Sequence, residues 1–202
     1  MIRYLIATSL FLAPVVSQAA TDSSSNRSNK AAYVAYDAFG LTLMPVAGPR
    51  IGYFVSKDFV AEAGFATGDA KLGEFEANKK IIEVKAKKFF GNSFYVDGGI
   101  GYETWEVSYP VAVDSGSYDT RQLSGNVQNT GVELHIGNQW QWDGFTLGCD
   151  WVGYFLSLNT STSFNDDSGV SPEKKEAEEK DVKQTFAGNS PHITRFYVGW
   201  AF

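Results

Sequence analysis

The sequence closes on ITRFYVGWAF, residues 193–202. Read in alternation, Phe196, Val198, Trp200 and Phe202 share one face, and Arg195, Tyr197, Gly199 and Ala201 share the other. A period of two marks a β-strand, because successive side chains of a strand point to opposite faces. Terminal segments ordinarily fray in water. A last strand with a wide apolar face and a final aromatic therefore points to surroundings other than water.

From Tyr33 onward the same alternation dominates, punctuated by Gly, Asn, Asp and Ser, and it falls into eight segments: 33–43, 50–55, 59–67, 81–90, 94–109, 131–142, 145–158 and 192–202. Three connections are only a few residues long: Ser56-Lys57-Asp58, Gly91-Asn92-Ser93 and Asp143-Gly144. The others are longer, and the longest follow Tyr109 and Leu158. If consecutive strands are antiparallel, the three tight turns lie at one end and the long loops at the other. That is the layout of membrane-spanning barrels.

The opening stretch MIRYLIATSLFLAPVVSQAA has one early cation, Arg3, an apolar run over residues 4–16 and the small-x-small ending Ser17-Gln18-Ala19. It predicts a secretory signal peptide over residues 1–19, cut after Ala19. The apolar run is too short to span a hydrocarbon core of roughly 30 Å. Residues 20–30 are polar and aperiodic and predict a flexible leader, leaving residues 31–202 as one domain. Cys149 is the sole cysteine, so no intrachain disulfide forms, and it lies too far from the cleavage site to carry an N-terminal lipid. The formal net charge of −6 becomes more negative once Arg3 is removed. This argues against a nucleic-acid partner, which needs a basic face. No motif implies a cofactor.

Alternation alone does not say which face is inside, since soluble eight-stranded barrels turn their apolar face inward. One face carries Ala61, Ala63, Phe65, Ile82, Val84, Ala86, Val96, Ile100, Tyr102, Val132, Leu134, Ile136, Phe145, Leu147, Cys149, Trp151 and Phe155. The opposite face carries Arg50, Glu62, Glu83, Lys85, Lys87, Asp97, Glu103, Glu133, His135, Asp150 and Arg195, with Asp37 on the first strand. Gly52, Gly64, Gly99, Gly101, Gly137, Gly148 and Gly199 share that charged face. Glycine weakens a strand unless something crowds against it, so these positions fit a narrow lumen in which neighbours' long side chains need room. The charged face is therefore expected inside and the apolar face outside, against lipid. A lysine facing lipid at mid-bilayer costs roughly 2–4 kcal/mol. Lys88 points outward but sits near a strand end, where it can snorkel.

At this point the chain resembles a known family, the small eight-stranded outer-membrane proteins of the OmpA/OmpX/OmpW type. The residues that carry the resemblance are the SQA cleavage site, the strand–turn–strand GYFVSKDFVAEAGF and the terminal FYVGWAF. It implies an all-β, eight-stranded antiparallel transmembrane β-barrel with short periplasmic turns and long extracellular loops. It also implies a monomer in the bacterial outer membrane, bathed in outer-membrane lipid and lipopolysaccharide, with both termini in the periplasm. In that family a C-terminal aromatic with alternating apolar residues is read by the barrel-assembly machinery. The resemblance assigns this signal to Phe196, Val198, Trp200 and Phe202.

Several groups are candidates for chemistry. An eight-stranded barrel is just wide enough for its side chains to fill, which favours a salt-bridged plug over a narrow cation-preferring conduit sensitive to Lys85 or Asp150. Seven acids against Arg50, Lys85, Lys87 and Arg195 leave an acidic excess for water, His135 or raised pKa values to absorb. His135 lies two residues from Glu133 on the same face; such pairs can bind metal or move protons, but two ligands make no site, so no metal is expected. Ser190-Pro191-His192, if extended, places Ser190 and His192 on the lipid side, as a lipid A hydrolase requires. The order is reversed from known deacylases, however, and no orienting acid is identifiable. Trp140, Trp142, Trp200 and Phe202 at one end and Trp105, Tyr109 and Tyr154 at the other predict two aromatic girdles. In the last loop, Ser171 as N-cap and Pro172 at the first helical position predict a solvated helix, or else a charged loop, with Glu176–Lys180 and Glu179–Lys183 pairs. The expected role is non-enzymatic, with the loops, above all residues 159–191, meeting the outside.

Overall fold

The computed structural model describes residues 23–41, 44–112, 120–165 and 171–202. The expected signal peptide and its cleavage site lie outside the described residues. Eight strands close a barrel in sequence order: β1 (Ala32–Leu41), β2 (Pro45–Ser56), β3 (Phe59–Leu72), β4 (Phe75–Phe89), β5 (Phe94–Ala112), β6 (Thr120–Trp142), β7 (Phe145–Phe164) and β8 (Ser190–Ala201). Every neighbouring pair is antiparallel, including β8 against β1. The seam is completed beyond the strands, where the Ala31 and Ala32 amides donate to the Phe202 carbonyl at 2.8 and 3.1 Å and the Phe202 amide donates to Ala32 at 2.9 Å. Closure leaves no sheet edge, the condition for a sheet in lipid. Outside, Ile51, Tyr53, Ile82, Val84, Ile100, Leu134, Phe196 and Val198 are exposed and form an apolar belt.

The strands reach further outward than alternation predicts. β3 and β4 stay paired to a hairpin at Leu72 and Phe75, and β5 and β6 to Ala112 and Thr120. These extensions rise beyond the belt, where the outward face turns polar and the inward face, with Ala77, Leu123 and Val127, is buried, so the apolar-outside pattern ends although the ladder continues.

Bulges in β7 and β8 change which side chains face inward. In β7, Gly137 of β6 pairs with Asp150 but Ile136 pairs with Val152, so Trp151 is an extra residue and both Trp151 and Val152 are exposed. Beyond that point the phase is reversed, and Phe155, expected against lipid, is buried inside. Cys149 precedes the bulge and keeps its outward phase between inward-facing Gly148 and Asp150, although it is buried. The matching irregularity in β8 is Thr194, with φ 56°, skipped between the Asp150–Arg195 and Val152–Ile193 pairs. A bulge inserts one residue and re-aims the side chains beyond it, so Ser190 and His192 are buried instead of lipid-facing.

The leader is corrected too. Residues Ser23–Ser28 form a short helix, α1, docked on the tight-turn end of the barrel. Arg27 is fully buried there, donating from Nε to the Lys57 carbonyl at 2.9 Å and from Nη1 to the Asn92 carbonyl at 2.6 Å, with its guanidinium 3.8 Å from the Phe89 ring centre. The Asn26 amide donates to the Gln141 carbonyl at 2.8 Å. Tight turns present carbonyls without strand partners, and the polar residues that look like a disordered tail are their donors. Burial lowers the Arg27 guanidinium to about 10, which leaves it charged at neutral pH. Arg27→Ala is expected to cost about 1.5–3 kcal/mol of docking, the usual contribution of hydrogen bonds from a charged group. Limited proteolysis should then cut near residue 28 in the variant and spare the parent.

At the other end, α2 (Pro172–Phe186) begins at the expected N-cap, with the Lys175 amide donating to the Ser171 carbonyl at 2.9 Å. Its ion pairs are Lys174–Glu178 and Lys175–Glu179, shifted from those expected. The helix is not merely solvated. Val182 and Phe186 pack into the barrel mouth with Met44, Val46, Ile81 and Val127, and the Phe186 ring centre lies 5.1 Å from that of Trp105. Trp105, expected in a lipid-facing girdle, is therefore buried in the mouth.

Candidate functional site

The lumen between the two helices is built in layers. Lowest, Lys87 donates to Glu62 at 2.8 Å, to the Tyr197 hydroxyl at 3.0 Å and to Gln139 at 3.3 Å. Its ammonium also lies 4.2 Å from the Tyr95 ring centre, a cation–π distance. The Tyr33 hydroxyl donates to Glu62 and the Tyr95 hydroxyl to Asp150. Large rings fit here because glycines face them: a Cβ on Gly148 would overlap the Tyr197 ring, and one on Gly52 the Tyr33 ring. The glycines thus make room for rings at Gly52, Gly101, Gly137 and Gly148 and for the charged side chain of Glu83 at Gly64, where the sequence suggests charged side chains throughout.

The middle layer is ionic. Arg50 reaches Asp37 at 2.7 Å, Glu62 at 3.0 Å and Asp150 at 3.4 Å. Arg195 donates from Nη2 to Glu83 at 3.0 Å and approaches Asp37 at 3.5 Å. Lys85 lies 3.0 Å from Glu83 and 3.4 Å from Glu62. Isolated buried charge is expensive, and partners offset much of that cost; each of these cations meets at least two carboxylates.

Above this, four titratable residues form a chain. Asp97 Oδ1 lies 2.9 Å from His135 Nδ1, His135 Nε2 lies 3.0 Å from His192 Nδ1, and His192 Nε2 lies 3.1 Å from Glu103 Oε1. Glu103 also takes Lys79 at 3.0 Å. Glu133 stands beside the pair, its carboxylate 4.0 Å from His135 Nε2. At the rim, the strand extensions enclose an open cavity of about 780 Å³ lined by residues including Asp69, Lys71, Glu76, Asn78 and Glu106.

All twelve interior residues named from the sequence, Asp37, Arg50, Glu62, Glu83, Lys85, Lys87, Asp97, Glu103, Glu133, His135, Asp150 and Arg195, are buried in the structure. Lys79 and His192 join them. Lys79 was legible, since it continues the inward phase of Ile81, Glu83, Lys85 and Lys87 by one more step of two. His192 was not, because the Thr194 bulge has no sequence signature. Ser190 is buried nearby, but both His192 ring nitrogens are already engaged with His135 and Glu103, so no Ser–His pair is formed.

No protein-family model matches the chain, and no curated protein matches it significantly. Solved structures do resemble it. The N-terminal β-barrel domain of Pseudomonas aeruginosa OprF matches with a TM-score of 0.50 at 14% identity, over 86% of this chain and 98% of that one. Acinetobacter baumannii CarO matches at 0.55 and 13% identity, with the same coverage. A major outer membrane protein from Thermus thermophilus also matches at 0.55, with 11% identity and the same coverage. Identities this low carry the fold and nothing finer. Strand order, closure, apolar belt and these likenesses together give the chain the fold of an eight-stranded outer-membrane β-barrel.

Proposed function

We propose that the protein is a non-enzymatic, monomeric barrel with a sealed lumen, which acts as a scaffold presenting its outer hairpins and α2 at the cell surface. The observation that carries this reading is the ionic layer: Arg50, Lys85 and Arg195 bridge carboxylates from β1, β3, β4 and β7 across the full width of the lumen. α1 beneath and the foot of α2 above supply two further closures. On this reading a solute would have to break several buried ion pairs at once to pass.

Outer-membrane lipid and lipopolysaccharide meet the apolar belt, and Phe196, Val198, Trp200 and Phe202 serve as the signal for the assembly machinery. The surface work falls to the rim cavity, whose walls mix Asp69, Glu76 and Glu106 with Lys71, and to the charged face of α2. The test is solute flux. Liposomes reconstituted with the full barrel and loaded with a potassium gradient are expected to hold that gradient as long as empty liposomes do. Collapse of the gradient in proportion to barrel content would replace the scaffold with a conduit.

A further inference from the structure

We propose that His135, His192 and Glu133 hold one divalent transition-metal cation inside the barrel. The first reason is tautomeric. A carboxylate only accepts hydrogen bonds, so His135 donates its Nδ1–H to Asp97, and His192 donates its Nε2–H to Glu103. A neutral imidazole has one N–H, so the nitrogens left over are His135 Nε2 and His192 Nδ1. These two lone pairs point at each other across 3.0 Å. Such a contact needs a positive centre, either a proton or a metal ion.

Three observations favour the ion. Glu133 is 1% exposed, and neither of its oxygens has a hydrogen-bond partner, although it stands beside the pair. The ligand atoms of Glu133, His135 and His192 all lie within 4.8 Å of one another, with His135 Nε2 3.0 Å from His192 Nδ1 and 4.0 Å from the Glu133 carboxylate; a small parting of the two rings and an inward turn of Glu133 bring all three to one ion at ordinary bond lengths of about 2.0–2.2 Å. The charge balance agrees. Among the described residues, the lumen between the helices buries seven carboxylates (Asp37, Glu62, Glu83, Asp97, Glu103, Glu133 and Asp150) against five cations (Arg50, Lys79, Lys85, Lys87 and Arg195). With both histidines neutral the excess is two negative charges, which one divalent cation cancels.

The surroundings are those of a built site. Metal-bound histidines characteristically donate their second N–H to a carboxylate, which fixes the ring and raises its basicity; Asp97 and Glu103 do this here. Phe155 stacks on His192 with ring centres 6.5 Å apart and walls one side with carbon. Gly153 leaves space for the His135 ring, which a Cβ would overlap. Two imidazoles and one carboxylate select zinc, nickel, cobalt or copper over magnesium or calcium.

The chain contains two histidines, and both are in this site. Any imidazole-bound metal in an untagged preparation is therefore bound here. The experiment refolds the untagged full chain in detergent with cobalt(II), zinc(II), nickel(II) or copper(II) in turn, removes free ion by gel filtration and counts bound metal. Heat-dependent gel mobility verifies the fold. The expected result is close to one ion per folded barrel for at least one of the four, with visible cobalt bands characteristic of nitrogen and oxygen ligation where cobalt is held. His192→Asn should abolish retention, and Glu103→Gln, which only orients His192, should weaken affinity roughly 10- to 100-fold. A folded parent that retains none of the four metals overturns the proposal, and nitrogen NMR should then show a proton shared between the two imidazoles. Metal retained undiminished in folded His192→Asn overturns it as well. If His192→Asn does not fold, the parent's stoichiometry and the Glu103→Gln affinity decide the matter alone.

Discussion

Arg50→Met is expected to destabilise the folded barrel by about 3–5 kcal/mol, the usual cost of removing one member of a buried ion pair. Arg50 lies at the crossing of three carboxylates, Asp37, Glu62 and Asp150, with its side chain wholly buried. Methionine fills similar volume, so the loss is electrostatic: it raises the uncompensated negative charge of the lumen by one and leaves Asp37 with only the more distant Arg195. The measurement is urea unfolding from lipid vesicles, followed by tryptophan fluorescence. Removing a partner acid as well, in Arg50→Met with Glu62→Gln, should recover part of the loss, because neutral pairs tolerate burial better than a lone charge. A single variant within about 1 kcal/mol of the parent would mean that water reaches this layer and that the lumen is a hydrated channel.

Leu134→Arg tests the other face and is expected to cost about 2–4 kcal/mol, the penalty for a guanidinium at the bilayer midplane. Leu134 is 63% exposed in the middle of the belt, set between Gly98 of β5 and Tyr154 of β7. In a water-soluble barrel a residue so exposed would accept arginine with little effect. The comparison is Leu72→Arg at the tip of the β3–β4 hairpin. Leu72 is 82% exposed but stands above the belt, so a change within about 0.5 kcal/mol is expected, as for ordinary surface substitutions. Equal effects at the two positions would remove the distinction between lipid and water on which the inside-out assignment rests.

The fold was legible because a barrel wall writes itself in period two. Phe196, Val198, Trp200 and Phe202 against Arg195, Tyr197 and Gly199 already carry the inside-out pattern, and seven more segments repeat it. The features that escaped are those that break or outlast that period. One extra residue at Trp151 and one at Thr194 reverse the phase beyond them, which carries Phe155, His192 and Ser190 inside, and neither residue type signals a bulge. The outer strand extensions escaped because their outward face turns polar while the inward face, with Leu123 and Val127, carries the apolar residues, the reverse of the wall's pattern. The docking of α1 depends on the turn carbonyls of Lys57 and Asn92 and on the carbonyl of Gln141 at the end of β6, far away in sequence, so a polar leader read alone looks disordered. The site shows the same division. Glu133 and His135 were visible as neighbours, but the residue that turns them into a three-ligand cluster arrives from β8 through a bulge.

The charges of the lumen are engaged chiefly with one another, and its closure is tested most directly by single-channel recording. The refolded full chain is placed in a planar bilayer beside a variant lacking residues 171–187, with folding verified by heat-dependent gel mobility. Silence is predicted from both, because the layer around Arg50, Lys85 and Arg195 closes the barrel beneath α2. Discrete, reproducible conductance steps from the parent chain would contradict a sealed lumen.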